Sequence, residues 1–302
     1  MQKDYGNYIA HLLDNQKPLK PLETNVKEQI ETKTGIKAAI FDIYGTLLMS
    51  ASGDVGEWDH NVKNLQQTLI DAGYIIFDDI PSGAFDFMLA DFRFTILEHH
   101  KVKKSEGVPY PEINIKEVWG DVLDRAIKKK WLAEGKAACR NQFVLTFELL
   151  SNQVYPMPGM ADIIATFQKH NIPLGIVSNA QFYTPLIMNH YLKNEPSEEA
   201  IPPFDPDLTV FSFKVGKGKP DSYLYKSIIP NLKNKYRLEP QEALFIGNDM
   251  LNDVYAANKV GFKTALFAGD KRSLRWRKDR IGSLKPDYVI TELQQLKRII
   301  TL

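Results

Sequence analysis

The sequence predicts an α/β fold in which helices flank a parallel sheet. Short apolar runs end in Gly, Asp or Ser and are followed by segments with helical spacing, which is the pattern of strands buried on both faces. Between Gly53 and about Gln153 this alternation stops, and apolar residues recur at helical spacing instead. We therefore expect a parallel α/β core with a helical insertion after its first strand.

Four apolar runs mark the predicted strands. In chain order they are KAAIF before DIYGT, IPLGIV before SNA, EALFI before GNDM, and KTALF before AGD. Within the insertion, Val62, Leu65 and Leu69 indicate a helix that ends near Gly73, a good C-cap residue. A second helix is indicated by apolar residues at helical spacing: Ile115, Val118, Trp119, Val122, Leu123, Ala126 and Ile127.

The changes of pattern set the predicted domain boundaries. Residues 1–35 are polar and interrupted by prolines, so we expect an N-terminal extension there. Residues 36–55 and 154–302 form the predicted α/β core, and residues 56–153 form the helical insertion. The expected hinges are rich in small residues or proline: SASGDVG (50–56) and QVYPMPG (153–159).

Composition excludes several classes of function. The 302 residues carry 38 Lys and Arg against 37 Asp and Glu, a formal charge of +1, so no global field attracts nucleic acid or an anionic membrane. Cys139 is the only cysteine and cannot form an internal disulfide. The N-terminus lacks a signal-peptide pattern, and no segment approaches the roughly 18 apolar residues of a membrane span. We expect a cytoplasmic protein with neither nucleic-acid nor membrane partners.

Chemically useful residues follow the predicted strands. Ligands of open α/β sheets bind outside the carboxyl ends of the strands, so these positions are the ones to inspect. They hold Asp42, Ser178, Asn179, Asp249 and Asp253. Lys219 in KVGKGKPD joins them, because a lysine before a proline and a helical stretch can point into the same crevice.

These side chains form an electrostatically coherent set. The carboxylate of Asp42 can attack a substrate, and the ammonium of Lys219 can hold it ionised and neutralise an anionic substrate. The hydroxyl of Ser178 and the nearby backbone N–H groups can bind oxygens. Asp249 and Asp253, spaced i, i+4, can hold a hard cation through oxygen ligands.

In this order, DxxGT, an apolar strand ending in SNA, a lysine before proline, and GNDxxxD resemble the haloacid dehalogenase (HAD) superfamily of hydrolases. The resemblance covers about residues 36–302, and the helical insertion corresponds to the type 1 cap of that family. It implies a Rossmann-like core with Asp42 as the nucleophile that forms an aspartyl intermediate, Ser178 as an oxyanion contact and Lys219 as the charge neutraliser. The magnesium ligands it implies are Asp42, the backbone carbonyl of Tyr44, Asp249 and Asp253.

Tyr44 departs from the pattern of the phosphatases in this family. Those enzymes normally carry a second Asp two residues after the nucleophile, which protonates the leaving group and then activates water. A tyrosine, with a reference pKa near about 10, is a poor replacement, and losing the acid should cost on the order of 10²–10⁴-fold in rate for alcohol leaving groups. A departing halide needs no proton, and the 2-haloacid dehalogenases of the family carry D-x-Y-G-T as this chain does.

Three functions remain open at this point. A magnesium-dependent phosphohydrolase of a small phosphorylated metabolite fits if its substrates are acyl or aryl phosphates, or if the cap supplies the acid. A 2-haloacid dehalogenase fits Tyr44, but those enzymes work without a metal and resemble GNDMLND poorly. A binding or regulatory protein on a catalytically weak scaffold fits the lost acid, although Asp42, Lys219 and Asp249 are present.

The remaining predictions concern substrate contacts. We expect Thr46, Asn179 and Arg93 to contact an anionic small-molecule substrate, and Tyr44 to belong to the catalytic group. Arg93 lies in the insertion, in ADFRFTILEHH, where a solvated helix residue is the alternative. The basic stretch KRSLRWRKDR, residues 271–280, carries six cations and is expected to be a solvated face rather than a nucleic-acid site.

Overall fold

The computed structural model of the chain describes residues 5–30, 35–52 and 62–302. The chain forms two compact units. The first contains residues 1–57 and 154–302, and the second contains residues 58–153. Two predicted regions, the extension 1–35 and the hinge 50–56, fall partly outside the described residues.

Within the described residues, the strands in chain order are β1 (Ala38–Phe41), β2 (Leu48–Ser50), β3 (Tyr74–Ile76), β4 (Leu132–Glu134), β5 (Val154–Pro156), β6 (Leu174–Ser178), β7 (Thr209–Phe211), β8 (Ala243–Gly247), β9 (Lys263–Phe267) and β10 (Tyr288–Ile290). Six of them form one sheet in the order β10-β9-β8-β1-β6-β7, and every pairing in it is parallel. The predicted parallel α/β sheet is therefore confirmed, with β1, β6, β8 and β9 as the four predicted strands.

The central strands are buried on both faces, as the continuous apolar runs require. Every residue of β1, β6 and β8 is buried. In register, Phe41 lies between Ile176 of β6 and Ile246 of β8. This burial anchors the ends of the three strands, and with them the residues that follow.

The helices of the described residues, in chain order, are α1 (Tyr5–Asp14), α2 (Val62–Asp71), α3 (Ala84–Ser105), α4 (Ile115–Lys128), α5 (Arg140–Ser151), α6 (Met160–Lys169), α7 (Thr184–Leu192), α8 (Ser212–Val215), α9 (Ser222–Lys226), α10 (Ile229–Tyr236), α11 (Ala256–Asn258) and α12 (Lys278–Ile281). A π-helical turn, Met250–Tyr255, precedes α11. Three short 3₁₀ turns complete the regular structure: Pro206–Leu208, Pro240–Glu242 and Leu293–Arg298.

The second unit contains both helices predicted for the insertion, α2 and α4. Trp119 on α4 is fully buried, stacks on Phe92 with ring centroids 4.2 Å apart, and donates from Nε1 to Glu148 Oε1 at 3.0 Å. The unit also holds an antiparallel ribbon, β3 with β4, that the expectation of a purely helical insertion did not include. A second ribbon, β2 with β5, belongs to the first unit.

The N-terminal residues pack on the first unit. Helix α1 lies against α7, and Gln16 Oε1 accepts from the N–H of Val154 at 3.1 Å. Residues 20–29, here called the N-terminal strap, then run along the chain that follows β9 and β10. Leu22 N–H donates to Asp270 Oδ1 at 3.0 Å, and Leu22 O accepts from Lys271 N–H at 2.9 Å. The strap is thus held mainly through its backbone.

The strap also reaches the edge of the sheet. Gln29 exchanges two backbone hydrogen bonds with Val289 of β10, at 2.8 and 2.9 Å, and Glu28 pairs with Arg298 at 2.8 Å. This contact covers the outer edge of β10. In the described part of the chain, no helix has both the length and the apolar character needed to cross a membrane.

Candidate active site

The carboxyl ends of three neighbouring strands meet at the centre of the sheet. β1 lies between β6 and β8, and Asp42, Ser178 and Asn248 lie at or directly after the ends of these strands. Asp42 continues the ladder of β1, since its N–H donates to Ile246 O at 2.9 Å. Strand order proceeds from β1 to β6 and β7 on one side and to β8, β9 and β10 on the other, so a ligand crevice is expected at this point.

Lys219 joins two of the predicted acids. Its Nζ lies 2.7 Å from Asp42 Oδ1 and 2.6 Å from Asp253 Oδ1. The exposed side-chain fractions are 4% for Lys219, 8% for Asp42 and 1% for Asp253. Because water is almost excluded, losing one partner would leave a buried charge without compensation. Asp42 takes this contact on Oδ1, so Oδ2 is the oxygen that a nucleophilic role would use.

Burial and the neighbouring charges both shift the pKa values in this cluster. Burial raises the pKa of Asp253 to about 7, against the opposing attraction of Lys219 and with a further increase from Asp42 and Asp249. Burial alone would lower the pKa of Lys219, but the carboxylates of Asp253 and Asp42 outweigh it and raise that pKa above its usual value. Lys219 therefore stays protonated, and its single positive charge faces two carboxylates.

Asp253 is fixed through both of its carboxylate oxygens. Oδ1 contacts Lys219, and Oδ2 accepts from the N–H of Asp249 at 2.9 Å. Its carboxylate packs on Gly247, where an added Cβ would lie only 2.3 Å from Asp253 Cγ, so a side chain at position 247 would displace it. We therefore propose that Asp253 positions Lys219 and Asp249 rather than binding a metal directly.

Asp249 caps the π-helical turn and also carries an ion pair. Its Oδ1 accepts from the N–H groups of Leu251 at 2.8 Å and Asn252 at 3.1 Å, as an N-cap residue does. Its Oδ2 accepts from Arg277 Nε at 3.1 Å and Nη2 at 3.0 Å. Arg277 comes from the basic stretch 271–280, so the expectation that this stretch is a solvated face is wrong for this residue.

The loops around the site are tied to one another by Asn248. Its Oδ1 accepts from Thr46 Oγ1 at 3.2 Å, and its Nδ2 donates to Ser273 O at 2.6 Å. Gly45 has a φ of 83°, and a Cβ there would lie 2.6 Å from Ser273 Cβ. The loop after β1, the loop after β8 and the loop after β9 therefore pack as one piece.

Thr46 was predicted to contact substrate, but its side chain is fully buried and its hydroxyl is engaged by Asn248. Such a placement favours a structural link between two loops of the site. A direct contact between Thr46 and substrate stays a prediction that would require the hydroxyl to change partners.

The predicted pair after β6 supports Lys219. Asn179 Oδ1 accepts from the backbone N–H of Lys219 at 2.8 Å and so positions that residue. Ser178 is buried, and its Oγ donates to Asn179 O at 3.2 Å. Asn179 is thus brought to the cluster through Lys219, whereas an oxyanion contact by Ser178 stays a prediction.

Tyr44 lies in the loop after β1, and its hydroxyl is 2.9 Å from Thr184 Oγ1 at the start of α7. The side chain is half-buried. Arg93 is exposed on α3 of the second unit. Its predicted contact with substrate stays a prediction.

Oxygen donors at the site fit a hard cation in part. Asp42, Asp249 and the backbone carbonyl of Tyr44 are donors of the kind that Mg²⁺ prefers, and Mg²⁺ in proteins is usually held by one or two carboxylates together with water and substrate phosphate. Within the described residues, no group of three His, Cys, Asp or Glu side chains could hold a metal by itself. Oδ2 of Asp249 already contacts the Arg277 guanidinium, which occupies a cation position.

Sequence reasoning assigned no role to Gly247, Asn248 or Arg277. The first two lie in GNDM, between a predicted strand and Asp249, so their position was itself a signal. For Arg277 the signal was weaker: it lies in the basic stretch 271–280 that follows KTALF and AGD, and that stretch was predicted to be a solvated face. The contact of that loop with Asp249 joins residues that are distant in sequence, so no local pattern reveals it.

Comparison with known proteins identifies several relatives. A glyceraldehyde 3-phosphate phosphatase from Pyrococcus furiosus is 26% identical over 179 residues, which are 59% of this chain and 65% of that protein, just under two thirds of its length. A 2-haloacid dehalogenase structure from Pseudomonas syringae matches with a TM-score of 0.51 and 19% identity, covering 86% of this chain and 96% of that one. At that identity the likeness supports the fold alone.

A solved HAD phosphatase from Thermococcus onnurineus matches more distantly, with a TM-score of 0.42 and 19% identity over 87% of this chain and 97% of that one. The decisive comparison is with a family model. The model of haloacid dehalogenase-like hydrolases matches residues 36–261, a range that contains Asp42, Lys219, Asp249 and Asp253 and ends before Arg277. The match extends over most of the chain and confirms the resemblance carried by its motifs, so this chain belongs to the haloacid dehalogenase-like hydrolases.

Proposed function

We propose that the chain is a phosphohydrolase that uses Asp42 and Mg²⁺ to cleave a small phosphorylated metabolite. The observation that carries the proposal is the charge of the cluster. Asp42, Asp249 and Asp253 contact only Lys219 and Arg277 as cations among the described residues, which leaves one negative charge when all five groups are ionised. Such a crevice repels an anionic substrate, and a divalent cation would make its balance positive.

Two further observations favour phosphate chemistry. Burial raises the pKa of Asp253 to about 7 even beside Lys219, and Asp42 and Asp249 raise it further, so an added cation would stabilise the charged carboxylates. The relative from Pyrococcus furiosus is a glyceraldehyde 3-phosphate phosphatase, and its similarity to this chain favours a small phosphorylated metabolite as the substrate class.

In the proposed reaction, Asp42 Oδ2 attacks phosphorus while the bond from phosphorus to the leaving oxygen breaks. The leaving oxygen takes a proton from solvent. Water then attacks the phosphorus of the aspartyl phosphate and gives up a proton to solvent, the bond from phosphorus to Asp42 Oδ2 breaks, and inorganic phosphate and the Asp42 carboxylate are released. Lys219 orients Asp42 through Oδ1 and offsets the charge that develops beside it. Mg²⁺, held by Asp42, Asp249 and the Tyr44 carbonyl, would neutralise the phosphoryl oxygens.

The position of Tyr44 points to substrates with good leaving groups. A carboxylic acid is the usual proton donor at this position of the family, and a phenol is a weaker one at neutral pH. The Tyr44 hydroxyl also shares a hydrogen bond with Thr184. We therefore propose acyl or aryl phosphates, whose leaving groups need little protonation, as better substrates than alkyl phosphates.

The proposal is tested by phosphate release from p-nitrophenyl phosphate and acetyl phosphate, with Mg²⁺ and with chelator, in the wild-type protein and in Asp42→Asn. We expect turnover that requires Mg²⁺ and is lost in the variant. Activity that persists in Asp42→Asn, or that is unchanged by chelator, would contradict the proposed chemistry.

A second variant tests the role of the tyrosine. Tyr44→Asp restores a carboxyl group, so alkyl phosphate hydrolysis should rise by a larger factor than aryl or acyl phosphate hydrolysis. Tyr44→Phe keeps the ring and removes the hydroxyl, and it serves as the control for lost contact with Thr184. An equal change for all three substrate classes would count against the leaving-group argument.

A 2-haloacid dehalogenase is the second candidate, and the single observation that favours it is Tyr44 in D-x-Y-G-T. In that reaction Asp42 would displace halide from the carbon next to a carboxylate, and no leaving-group proton is required. Halide release from 2-chloropropionate in the presence of chelator would support this candidate over the phosphohydrolase.

The partners we propose are limited to small anionic molecules. A formal charge of +1 provides no general attraction for nucleic acid. A cytoplasmic location remains part of the proposal.

A further inference from the structure

Arg277 makes the ion pair with Asp249 through a two-atom contact. Nε and Nη2 both reach Oδ2, at 3.1 and 3.0 Å, whereas Oδ1 is taken by two backbone N–H groups of the following turn. The Asp249 side chain is 8% exposed and that of Arg277 is 35% exposed. The guanidinium therefore covers the one oxygen of Asp249 that is not committed to the helix cap.

The backbone delivers Arg277 to this place. Arg275 N–H donates to Asn248 O at 3.0 Å, and Arg275 O accepts from Met250 N–H at 2.9 Å, so the loop after β9 pairs with the loop after β8 on both sides of Asp249. Arg277 then adopts a left-handed conformation with a φ of 47° directly before α12. The backbone therefore positions Arg277 beside Asp249, unlike a surface arginine whose flexible side chain alone reaches an acid.

The first residues of this loop, which precede Arg275, are also held by contacts. Asp270 is 1% exposed and accepts from the N–H of Leu22 in the N-terminal strap and from Arg272. Ser273 lies against Gly45 in the loop after Asp42. Backbone and side-chain contacts thus fix this loop up to Arg275. The side chain of Arg277, which follows, is partly exposed.

We infer that Arg277 and a divalent cation compete for Asp249 Oδ2, so that the guanidinium closes the metal site in the metal-free enzyme and has to leave when the metal binds. This inference rests on the proposed function, because it takes Asp249 as a ligand of Mg²⁺. A guanidinium and a divalent cation on the same carboxylate oxygen repel each other, so each weakens the binding of the other. Lys219 does not take part in the exchange, since it lies on Asp42 and Asp253 and is almost fully buried.

Competition of this kind has a reciprocal consequence. Whatever Arg277 contributes to the metal-free enzyme is lost when the metal binds, so its removal should tighten metal binding. Because Arg277 is about one-third exposed, solvent weakens its pair with Asp249, and we expect an effect of roughly fivefold in the Kd rather than several orders of magnitude. Arg277→Lys keeps the charge but loses the two-atom contact and should give a smaller effect, about twofold.

The test measures Mn²⁺ binding to the full chain by electron paramagnetic resonance and Mg²⁺ binding by calorimetry. The variants are Arg277→Gln, Arg277→Lys and Asp249→Asn, with Arg280→Gln as the matched control, because Arg280 lies exposed on α12 in the same basic stretch. We expect about fivefold tighter binding in Arg277→Gln, less than about 1.5-fold change in Arg280→Gln, and loss of binding in Asp249→Asn. Arg277→Lys carries the test if the glutamine variant fails to fold.

Two results would overturn the inference, and they differ in what they mean for the enzyme. If the wild-type protein binds metal and Arg277→Gln binds it equally or more weakly, the competition is absent while the proposed function stands. If neither the wild-type protein nor Arg277→Gln binds metal, and phosphate release is also insensitive to Mg²⁺, the proposed function fails together with the inference.

Discussion

Among the described residues, Lys219 and Arg277 are the cations that contact the acids of the site, and they differ in how they are held. Lys219 is 4% exposed and contacts both Asp42 and Asp253, whereas Arg277 is 35% exposed and contacts Asp249. Removing the first leaves two buried charges unpaired, and removing the second leaves one carboxylate that solvent or a metal can reach. The difference teaches that burial, more than charge, separates a permanent member of the site from an exchangeable one.

The largest expected effect comes from removing Lys219, the buried cation. Lys219→Met leaves Asp42 and Asp253 without their cation, and we expect the free energy of unfolding to fall by about 3–5 kcal/mol, with loss of phosphate release. Urea unfolding followed by circular dichroism measures the change. Lys217→Met on the same loop removes only a contact 4.5 Å from the Tyr223 ring, so it should cost less than about 1 kcal/mol. Similar losses for both variants would contradict the comparison.

Gly247→Ala disturbs the buried pair of Lys219 and Asp253 without removing a charge. Its Cβ would collide with the Asp253 carboxylate, which must then move relative to Lys219, so we expect a loss of about 1–3 kcal/mol. Gly218→Ala is the matched control, because its Cβ would meet Asn179 at an ordinary 3.5 Å. The two melting temperatures can be compared directly, and an unchanged value for Gly247→Ala would show that Asp253 has room to shift.

Asp270→Asn weakens the contacts that hold the loop carrying Arg277. The carboxylate is buried, pairs with Arg272 and accepts from Leu22 N–H, so losing its charge should cost about 1–2 kcal/mol. We expect faster trypsin cleavage within the basic stretch 271–280, measured by mass spectrometry. Asp162→Asn on α6 is exposed and lies outside this stretch, so it should leave the cleavage rate unchanged. Equal rates in both variants would mean that Asp270 does not hold this loop.

Arg277→Gln has the smallest expected effect on stability. A partly exposed ion pair contributes between about 0 and 1 kcal/mol, so unfolding of the metal-free variant should differ little from that of the wild-type protein and of Arg280→Gln. A loss as large as that of Lys219→Met would show that Arg277 is a structural residue, and the contrast between the two cations would disappear.

The sequence predicted the sheet and the buried half of the site for a physical reason. Strands β1, β6, β8 and β9 are four or five residues long and mostly apolar, and the residues that end them follow directly in the chain. Strands β7 and β10 have three residues each and carry too short a pattern to be recognised. Local patterns therefore predicted Asp42, Ser178 and Asp249 at strand ends.

Features that depend on the return of distant chain could not be predicted in this way. Arg277 meets Asp249 only because the loop after β9 folds back along the loop after β8. The N-terminal strap is polar, and its contacts use backbone N–H and carbonyl groups, which no apolar pattern reveals. Thr46 was expected at the substrate, but its neighbour across the site, Asn248, lies far away in sequence.

The N-terminal strap has a consequence for how the protein is made. Leu22 is translated 248 residues before its partner Asp270. The strap must wait until Asp270 has been made, and closing so long a loop is entropically costly and slow. The loop that carries Arg277 is translated directly after Asp270. A nascent chain therefore displays Asp249 before Arg277 has been made, and the site is complete only when the loop after β9 has folded back onto it.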